Sequence, residues 1–399
     1  MITYEQALEN ILKNTRTLPE EKVLTEESLG RVLYEDIVSA IEMPAFDRSA
    51  MDGYALNHLD AEKVPVKLKC IGLIQAGDVF TKKLKRGECV KIMTGAQVPE
   101  NADSVVMVEY TRRTEKGVEI LKVAPKGENI FFQGEDFKKG QLVLEQGTKI
   151  LPSHIGILAT VGRKFVKVIG KPKAAVLNTG GEIVSLGYKL GRNKIYNSNG
   201  PMLQALLESD GILPVRLGIA KDNSRELKKK IKKGFAADIL LISGGVSMGD
   251  YDLVPGILEE LGVKKIFHKV NIKPGKPVFF GTRNKTVIFG VPGNPVSNFT
   301  AYHIFIRPVI QKMMGAKEPG PGFNEGIAAT DFPKKPGRRY FALAKFSIKE
   351  GRAYLSAIPG HSSADTLALA RADSLVMLDD ASTGVKNNSK VKFITWQKL

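Results

Sequence analysis

KAAVLNTGGEI (173–183) and ADILLISGGVSMGDYD (237–252) follow one pattern. Each begins as a run of small and branched apolar residues without polar alternation, as expected of a strand buried on both faces of a parallel sheet. Each then breaks at a glycine pair and offers carboxylates just beyond it: Glu182 in the first, Asp250 and Asp252 in the second. VIFGVPGNP (287–295) is a third strand-to-glycine junction. It leads into NPVSNFTAYHIFIRPVI (294–310), where Asn294 suits an N-cap and Pro295 the first helical position. Between these strands lie a helical stretch, PMLQALLESDG (201–211), a strand, LPVRLGIA (213–220), and a second helix, RELKKKIKKGF (225–235). This alternation predicts a parallel sheet with helices on both faces. Ligands of such folds bind at the carboxyl ends of the strands, where all three glycine turns fall.

Outward from this core the texture changes. Thr3 and Gln6 form a capping box, and Ala7, Leu8, Ile11 and Leu12 give helical spacing, so a helix is expected over about 3–15. From Pro44 to about 140, glycines punctuate short strand-like runs: VPVKLKCIGLI, ECVKIMTG, SVVMVEY and VEILKVA. LPSHIGILATVG (151–162) is helical again; in this reading it packs back on the first helix, with the β-rich part inserted between them. GAKEPGPGF (315–323) reads as a linker. RYFALAKFSI, AYLSAIPG, SLVMLDD and KVKFITW then predict a small closing β-barrel or sandwich.

The chain has 399 residues, 59 Lys and Arg against 42 Asp and Glu, and a net charge of +17, so anionic partners are the first expectation. Much of that charge belongs to residues 225–235, where Leu227, Ile231 and Phe235 mark one buried stripe and the lysines coat the solvent face. No aromatic residues interleave with these lysines as a nucleic-acid stacking surface would require. Two cysteines, Cys70 and Cys89, exclude a disulfide scaffold and a cysteine-based zinc site. No HExxH motif and no Ser-His-Asp arrangement can be read. His58, His154, His268, His303 and His361 are expected to be core or surface residues. The acidic, amphipathic N-terminus is not a signal peptide, and no run of about 18 apolar residues suggests a membrane span, so a cytoplasmic location is expected.

Paired glycines let a backbone approach an anion closely, while neighbouring carboxylates suit a divalent cation; together they suggest a nucleotide-type site. Neither glycine pair is a Walker loop or a GxGxxG turn. IKPGKPVFFG (272–281) holds Lys273 and Lys276 on a turn stiffened by Pro274 and Pro277, with Lys269 just before it, which makes a pre-organised anion clamp. PAFDRSAMDGYA (44–55) carries Asp47, Arg48, Ser49 and Asp52 among apolar residues. Thr94 and Asp136 sit in similar glycine turns.

These motifs, in this order along residues 44–297, resemble the MoeA and gephyrin E-domain family, the molybdopterin molybdenumtransferases. PAFDRSAMDGYA, MTGAQVPENADSVVMVE, GED, NTGGE, YNSNGPML, SGGVSMGDYD, KPGKPVFFG and GVPGNP carry the match. The resemblance implies four parts. A helical domain (1–43 with 141–170) is interrupted by a β-rich domain (44–140); a three-layer molybdopterin-binding α/β domain (171–315) and a C-terminal β-barrel (320–399) follow. It implies elongated homodimers with the active site between subunits, and contact with other enzymes of the pathway, but no nucleic acid or membrane. The implied reaction inserts molybdate into adenylylated molybdopterin and releases AMP, with Mg²⁺.

By motif position, the resemblance assigns Asp52, Thr94 and Asp136 as the contribution of the N-terminal half. Glu182, Asp222 and Asp252 form the acidic metal-binding cluster. Lys269, Lys273 and Lys276 serve substrate and oxyanion, while Pro277, Ser297, Arg338 and Ser363 form the molybdate pocket. Gly180, Gly181, Ser243, Gly244, Gly245, Ser247, Gly249, Asp250, Pro292 and Pro295 are the remaining substrate contacts. The chain departs from the family where Phe131 and Phe132 precede GED in place of an arginine, and where Leu343 replaces a second arginine. Lys345 and Arg339 are the candidates to restore that second charge. Rival readings are the adenylyltransferase of the same pathway, whose second glycine loop reads SGGTG and which lacks the N-terminal insert, and a non-catalytic gephyrin-like scaffold.

Overall fold

The first helix, α1 (Tyr4–Lys13), starts at the capping box read from the sequence. Thr3 Oγ1 accepts from the Gln6 amide at 3.2 Å, and the Gln6 side chain accepts from the Thr3 amide at 3.0 Å. Tyr4, Ala7 and Ile11 form its buried stripe, and the Tyr4 ring packs against Phe305 and Phe341. The computed structural model describes residues 1–115, 117–246 and 253–396. These divide into two compact units: 1–22, 30–34 and 167 onward form one, 23–29 and 35–166 the other.

The second of these is β-rich. Its sheet comprises β1 (Gly53–Leu56), β2 (Val66–Ile74), β3 (Glu88–Ile92), β4 (Ser104–Met107), β5 (Thr111–Thr114) and β6 (Gly117–Ile120), in the order β4-β1-β3-β2-β6-β5. Gly53 is required where β1 meets β4: a Cβ there would lie 2.0 Å from the Val106 carbonyl oxygen. The register Gly53↔Ile92 brings the residue before β1, Asp52, beside the residues that follow β3. The helix α2 (Pro152–Thr160) belongs to this unit, whereas α1 shares the core of the other.

The α/β unit is built on β7 (Ala174–Thr179), β8 (Val215–Ala220), β9 (Ile239–Ser243), β10 (Lys264–His268), β11 (Phe279–Arg283) and β12 (Thr286–Val291), in the order β8-β7-β9-β12-β11-β10. Every residue of β7, β9 and β12 is buried, as their unbroken apolar runs require. Alternation still decides which core each side chain joins. Ala174 and Val176 face a cluster with Leu203 and Leu207 of α3 (Asn199–Ser209); Ala175 and Leu177 face one with Leu227 and Ile231 of α4 (Ser224–Gly234) and Leu258 of α5 (Val254–Glu260). Helices therefore cover both faces, as predicted. The sheet is not wholly parallel, however: β12 pairs antiparallel with β11, and β11 with β10. A short connection, Asn284 to Lys285, joins β11 to β12, and a turn that short can only reverse the chain. The lysine-rich helix buries Leu227 and Ile231, but Lys230 is not part of a solvated coat. Its Nζ donates to the carbonyls of Leu217 and Ile219 at 3.0 and 2.7 Å, where the register of β8 slips at Leu217.

After β12, α6 (Pro295–Ala301) continues through a π-helical turn, Tyr302–Ile306, into α7 (Arg307–Met313). The chain closes with a barrel, which decides between the two β architectures the sequence allowed. β13 (Asn324–Ala328), β14 (Arg339–Lys349), β15 (Arg352–Ala357), β16 (Ser374–Leu378) and β17 (Lys390–Thr395) pair in a closed ring, β13-β15-β14-β16-β17 and back to β13. The short strand Ile272–Lys273 runs parallel to the start of β14, with Lys273 opposite Tyr340.

Candidate functional site

The carboxyl ends of β7, β9 and β12 surround a cavity of about 730 Å³, lined by Gly180, Glu182, Asp222, Ser243, Gly244 and Gly245 on one side and by Pro277, Pro292 and Pro295 on the other. Gly244 and Gly245 have φ of +92° and +66°, and a Cβ on Gly244 would meet the Thr179 carbonyl oxygen at 2.5 Å. Only glycine permits both the conformation and the contact. Three of the turn amides are already engaged within the protein. The Gly180 amide donates to Ala220, the Gly181 amide to the Asp222 carboxylate at 2.8 Å, and the Gly244 amide to Val291. The glycines thus serve by close backbone approach, which ties strand ends together and aims Asp222 into the cavity beside Glu182.

Two buried asparagines hold the floor. Asn199 and Asn298 donate to Ser243 Oγ at 3.0 and 2.9 Å, and Asn199 also to the Gly293 carbonyl at 2.7 Å. Sequence reasoning singled out neither. Their signal was available in YNSNGPML and NPVSN, where a polar side chain interrupts an otherwise buried helix face.

A second cavity of about 430 Å³ adjoins the first, and Pro277, Pro292 and Asn294 line both. Lys273, Lys276, Arg338, Ser297 and Ser363 line it, and its described lining contains no carboxylate. The pairing of Ile272–Lys273 with β14 sets Lys273 next to the Arg338 segment, and the Lys273 ammonium lies 5.1 Å from the centre of the Tyr340 ring. Ser363 is held by Asn294, whose amide donates to its Oγ at 2.8 Å, and its carbonyl accepts from Val296. Ser297 is buried. Lys269 lines neither cavity; it occupies a left-handed position, φ +81°, at the end of β10. Leu343 also lines the second cavity. Neither cation offered by the sequence restores the charge it lacks: Lys345 pairs with Asp373 at 2.8 Å, and Arg339 with Glu5 and Asp379 at 2.8 and 3.1 Å. Their side chains are committed to joining the barrel and α1.

Ser247, Gly249, Asp250 and Asp252 lie outside the described residues. Among the described residues, no group of three or more His, Cys, Asp or Glu is arranged to hold a metal ion. Glu182 and Asp222 remain a suitable pair, because Mg²⁺ is usually held by one or two carboxylates together with substrate phosphates. Asp222 is held by a single backbone amide, and both side chains border a cavity large enough for those phosphates.

In the β-rich unit, Asp52 accepts from the Thr94 amide and hydroxyl, each at 2.7 Å. The backbone donor first, then the hydroxyl, keep this exposed carboxyl below its ordinary range. Asp136 is exposed on a turn whose amide bonds back to Met43. Phe131 is half-exposed, with the Arg48 guanidinium 5.4 Å over its ring. Of the histidines, His58 meets Asp103 at 2.7 Å across 45 residues, and His303 is buried in the α6–α7 helix.

Three family models match the chain in order: the MoeA N-terminal region (domains I and II) over residues 2–162, a probable molybdopterin binding domain over 175–312, and the MoeA C-terminal region (domain IV) over 325–396. The molybdopterin molybdenumtransferase of Staphylococcus aureus is 36% identical over 98% of this chain and 95% of its own length. That of Staphylococcus epidermidis is 33% identical over the same shares. A crystal structure of the molybdopterin biosynthesis MoeA protein from Pyrococcus horikoshii matches with a TM-score of 0.84 at 32% identity, with 100% of both chains covered.

Proposed function

This chain belongs to the MoeA family, the molybdopterin molybdenumtransferases of molybdenum cofactor biosynthesis, and we propose that it inserts molybdate into adenylylated molybdopterin with release of AMP in an Mg²⁺-dependent reaction. One observation carries the finer reading: a carboxylate-lined cavity and a cation-lined cavity share the wall Pro277, Pro292 and Asn294. A substrate with a phosphate-rich half and a dithiolene half needs such a pair of neighbours. Glu182 and Asp222, joined by Asp252, hold Mg²⁺, which neutralises and orients the phosphates when bound. Lys273, Lys276 and Arg338 supply fixed positive charge for the molybdate dianion, with Ser297 and Ser363 as hydroxyl donors. Because these donors sit on short turns, strand ends and the first turn of α6, they need little reorganisation as charge develops. Asp52 and Thr94, already bonded to each other, act as one polar unit with Asp136.

The same reading divides the chain into the four domains read from its sequence. It makes the enzyme a cytoplasmic homodimer that meets other enzymes of the pathway. Among the described residues, no helix is long and apolar enough to cross a membrane. The deciding assay mixes purified protein with fresh adenylylated molybdopterin, molybdate and Mg²⁺ and follows AMP. Release that depends on both molybdate and Mg²⁺ is expected; AMP at background level would reject the insertase reading. Sedimentation at the mass of one protomer would reject the dimer.

A further inference from the structure

Residues 183–196 form a flap whose two ends line the first cavity. Its two ends pair as short parallel strands, Ile183 opposite Ile195 and Val184 opposite Tyr196. The Ile195 amide donates to the Glu182 backbone carbonyl at 3.0 Å, and Lys194 Nζ to the Gly181 carbonyl at 2.5 Å, so the base of the flap is fixed to the first glycine turn. Ile183, Ile195 and Tyr196 line the first cavity and not the second. The flap is also more apolar than a water-facing loop needs to be. Tyr188 is 71% exposed, Leu186 60%, Ile195 58% and Tyr196 43%. The Tyr196 hydroxyl donates to the Tyr188 carbonyl at 3.1 Å, which fixes where its ring faces. A half-exposed aromatic ring, held in place on a cavity wall, is a pre-organised surface for a flat heterocycle.

The order of groups along the substrate says which heterocycle. The dithiolene must reach the cation-lined cavity, across the wall of Pro277, Pro292 and Asn294, and the phosphates must lie at Glu182 and Asp222. The adenine follows the phosphates and stays in the first cavity, whose only aromatic lining side chain among the described residues is Tyr196. We propose that the flap is the base-recognition wall of this cavity, with Tyr196 stacking on the adenine of the adenylylated substrate. This inference rests on the insertase reading. It makes Tyr196 a substrate-binding residue that sets specificity and assigns it no bond-breaking role.

The test compares two ligands by calorimetry in Mg²⁺: AMP, and ribose 5-phosphate, which lacks the base. The wild-type protein is expected to prefer AMP by about tenfold or more, the range of base–aromatic stacking. Tyr196→Ala should lose most of that preference while binding ribose 5-phosphate as before. Tyr196→Phe, which keeps the ring and loses the hydroxyl, should retain the preference to within about threefold. An unchanged preference in Tyr196→Ala overturns the proposal, and so does equal weakening of both ligands, which would mean a collapsed cavity. If neither ligand binds the wild-type protein, the insertase reading falls and this inference with it.

Discussion

The two adjoining cavities of the α/β unit are assembled in opposite ways. The first is local. Most of its polar groups lie within a few residues of a strand end, at 179–182, 222, 243–245 and 292–295. The second is collected from the turn at 273–276, the first turn of α6 at 297, and loops at 338 and 360–363, the last two on the barrel side of the linker. The first uses positions at which only glycine fits; the second uses long cations, one of which, Lys273, is placed by strand pairing at its base. Local backbone chemistry can therefore be changed only at the cost of the fold, whereas the cation set should tolerate substitution and lose only its ligand.

Substitution at the first cavity tests this most severely. Gly244→Val places a branched side chain at φ +92° against the Thr179 carbonyl. Thermal unfolding should report a loss of about 3 kcal/mol or more, together with lost turnover, since a strained φ and a backbone clash add. A fully stable Gly244→Val would break the contrast between the cavities. Asp222→Ala should keep the melting temperature within a few degrees but lower turnover at least about tenfold, because removing a metal ligand costs transition-state stabilisation of ~1.4 kcal/mol or more. An Mg²⁺ titration identical to wild type would remove Asp222 from the metal site. For the second cavity, Arg338→Ala should weaken molybdate binding by about tenfold and leave AMP binding and stability unchanged, as expected for one charge-assisted contact. Equal effects on AMP and molybdate would show that the cavities are not separate functions.

The effect that is smallest at neutral pH, and grows in acid, concerns the helix that carries His303. His303 is buried, and neither ring nitrogen has a hydrogen-bond partner among the described residues; it packs on Phe299 and Trp396. Burial first, then the nearby Arg307, push its pKa down to about 3. The folded value lies below the unfolded one near 6.5. The associated stability is therefore complete above pH 6.5 and lost as pH falls from there toward 3, by at most ~1.4 kcal/mol per unit. Unfolding titrations of His303→Phe should lack this component, and an unaltered acid limb would assign it to other groups.

Legibility from sequence followed the same division between local and distant. Buried strands 174–179, 239–243 and 286–291 could be read because their apolar runs and terminal glycines are contiguous. The antiparallel edge was missed because the strand at 279–283 lies inside a segment that reads as a lysine clamp. Lys345 and Arg339 looked available beside Leu343, since a sequence shows charge and not its partner. Only the fold reveals that Asp373, Glu5 and Asp379 already hold them. Lys230 reads as a solvated lysine for the same reason; its acceptors are carbonyls 11 and 13 residues away. Asn199 and Asn298 were overlooked because a helix pattern marks which face is buried but does not say what a buried amide will meet.

By itself, the sequence determined the strands and helices of 174–243 and 286–310, the glycine turns at three strand ends, and membership of the family. Those features depend on neighbours along the chain, through side-chain alternation and φ preferences. Only tertiary structure decided that Lys273 would lie beside Arg338, that Asn294 would hold Ser363, and that the glycine amides would hold Asp222 and neighbouring strands. Each depends on distant backbones meeting in one register, and that register is set by packing across the whole core.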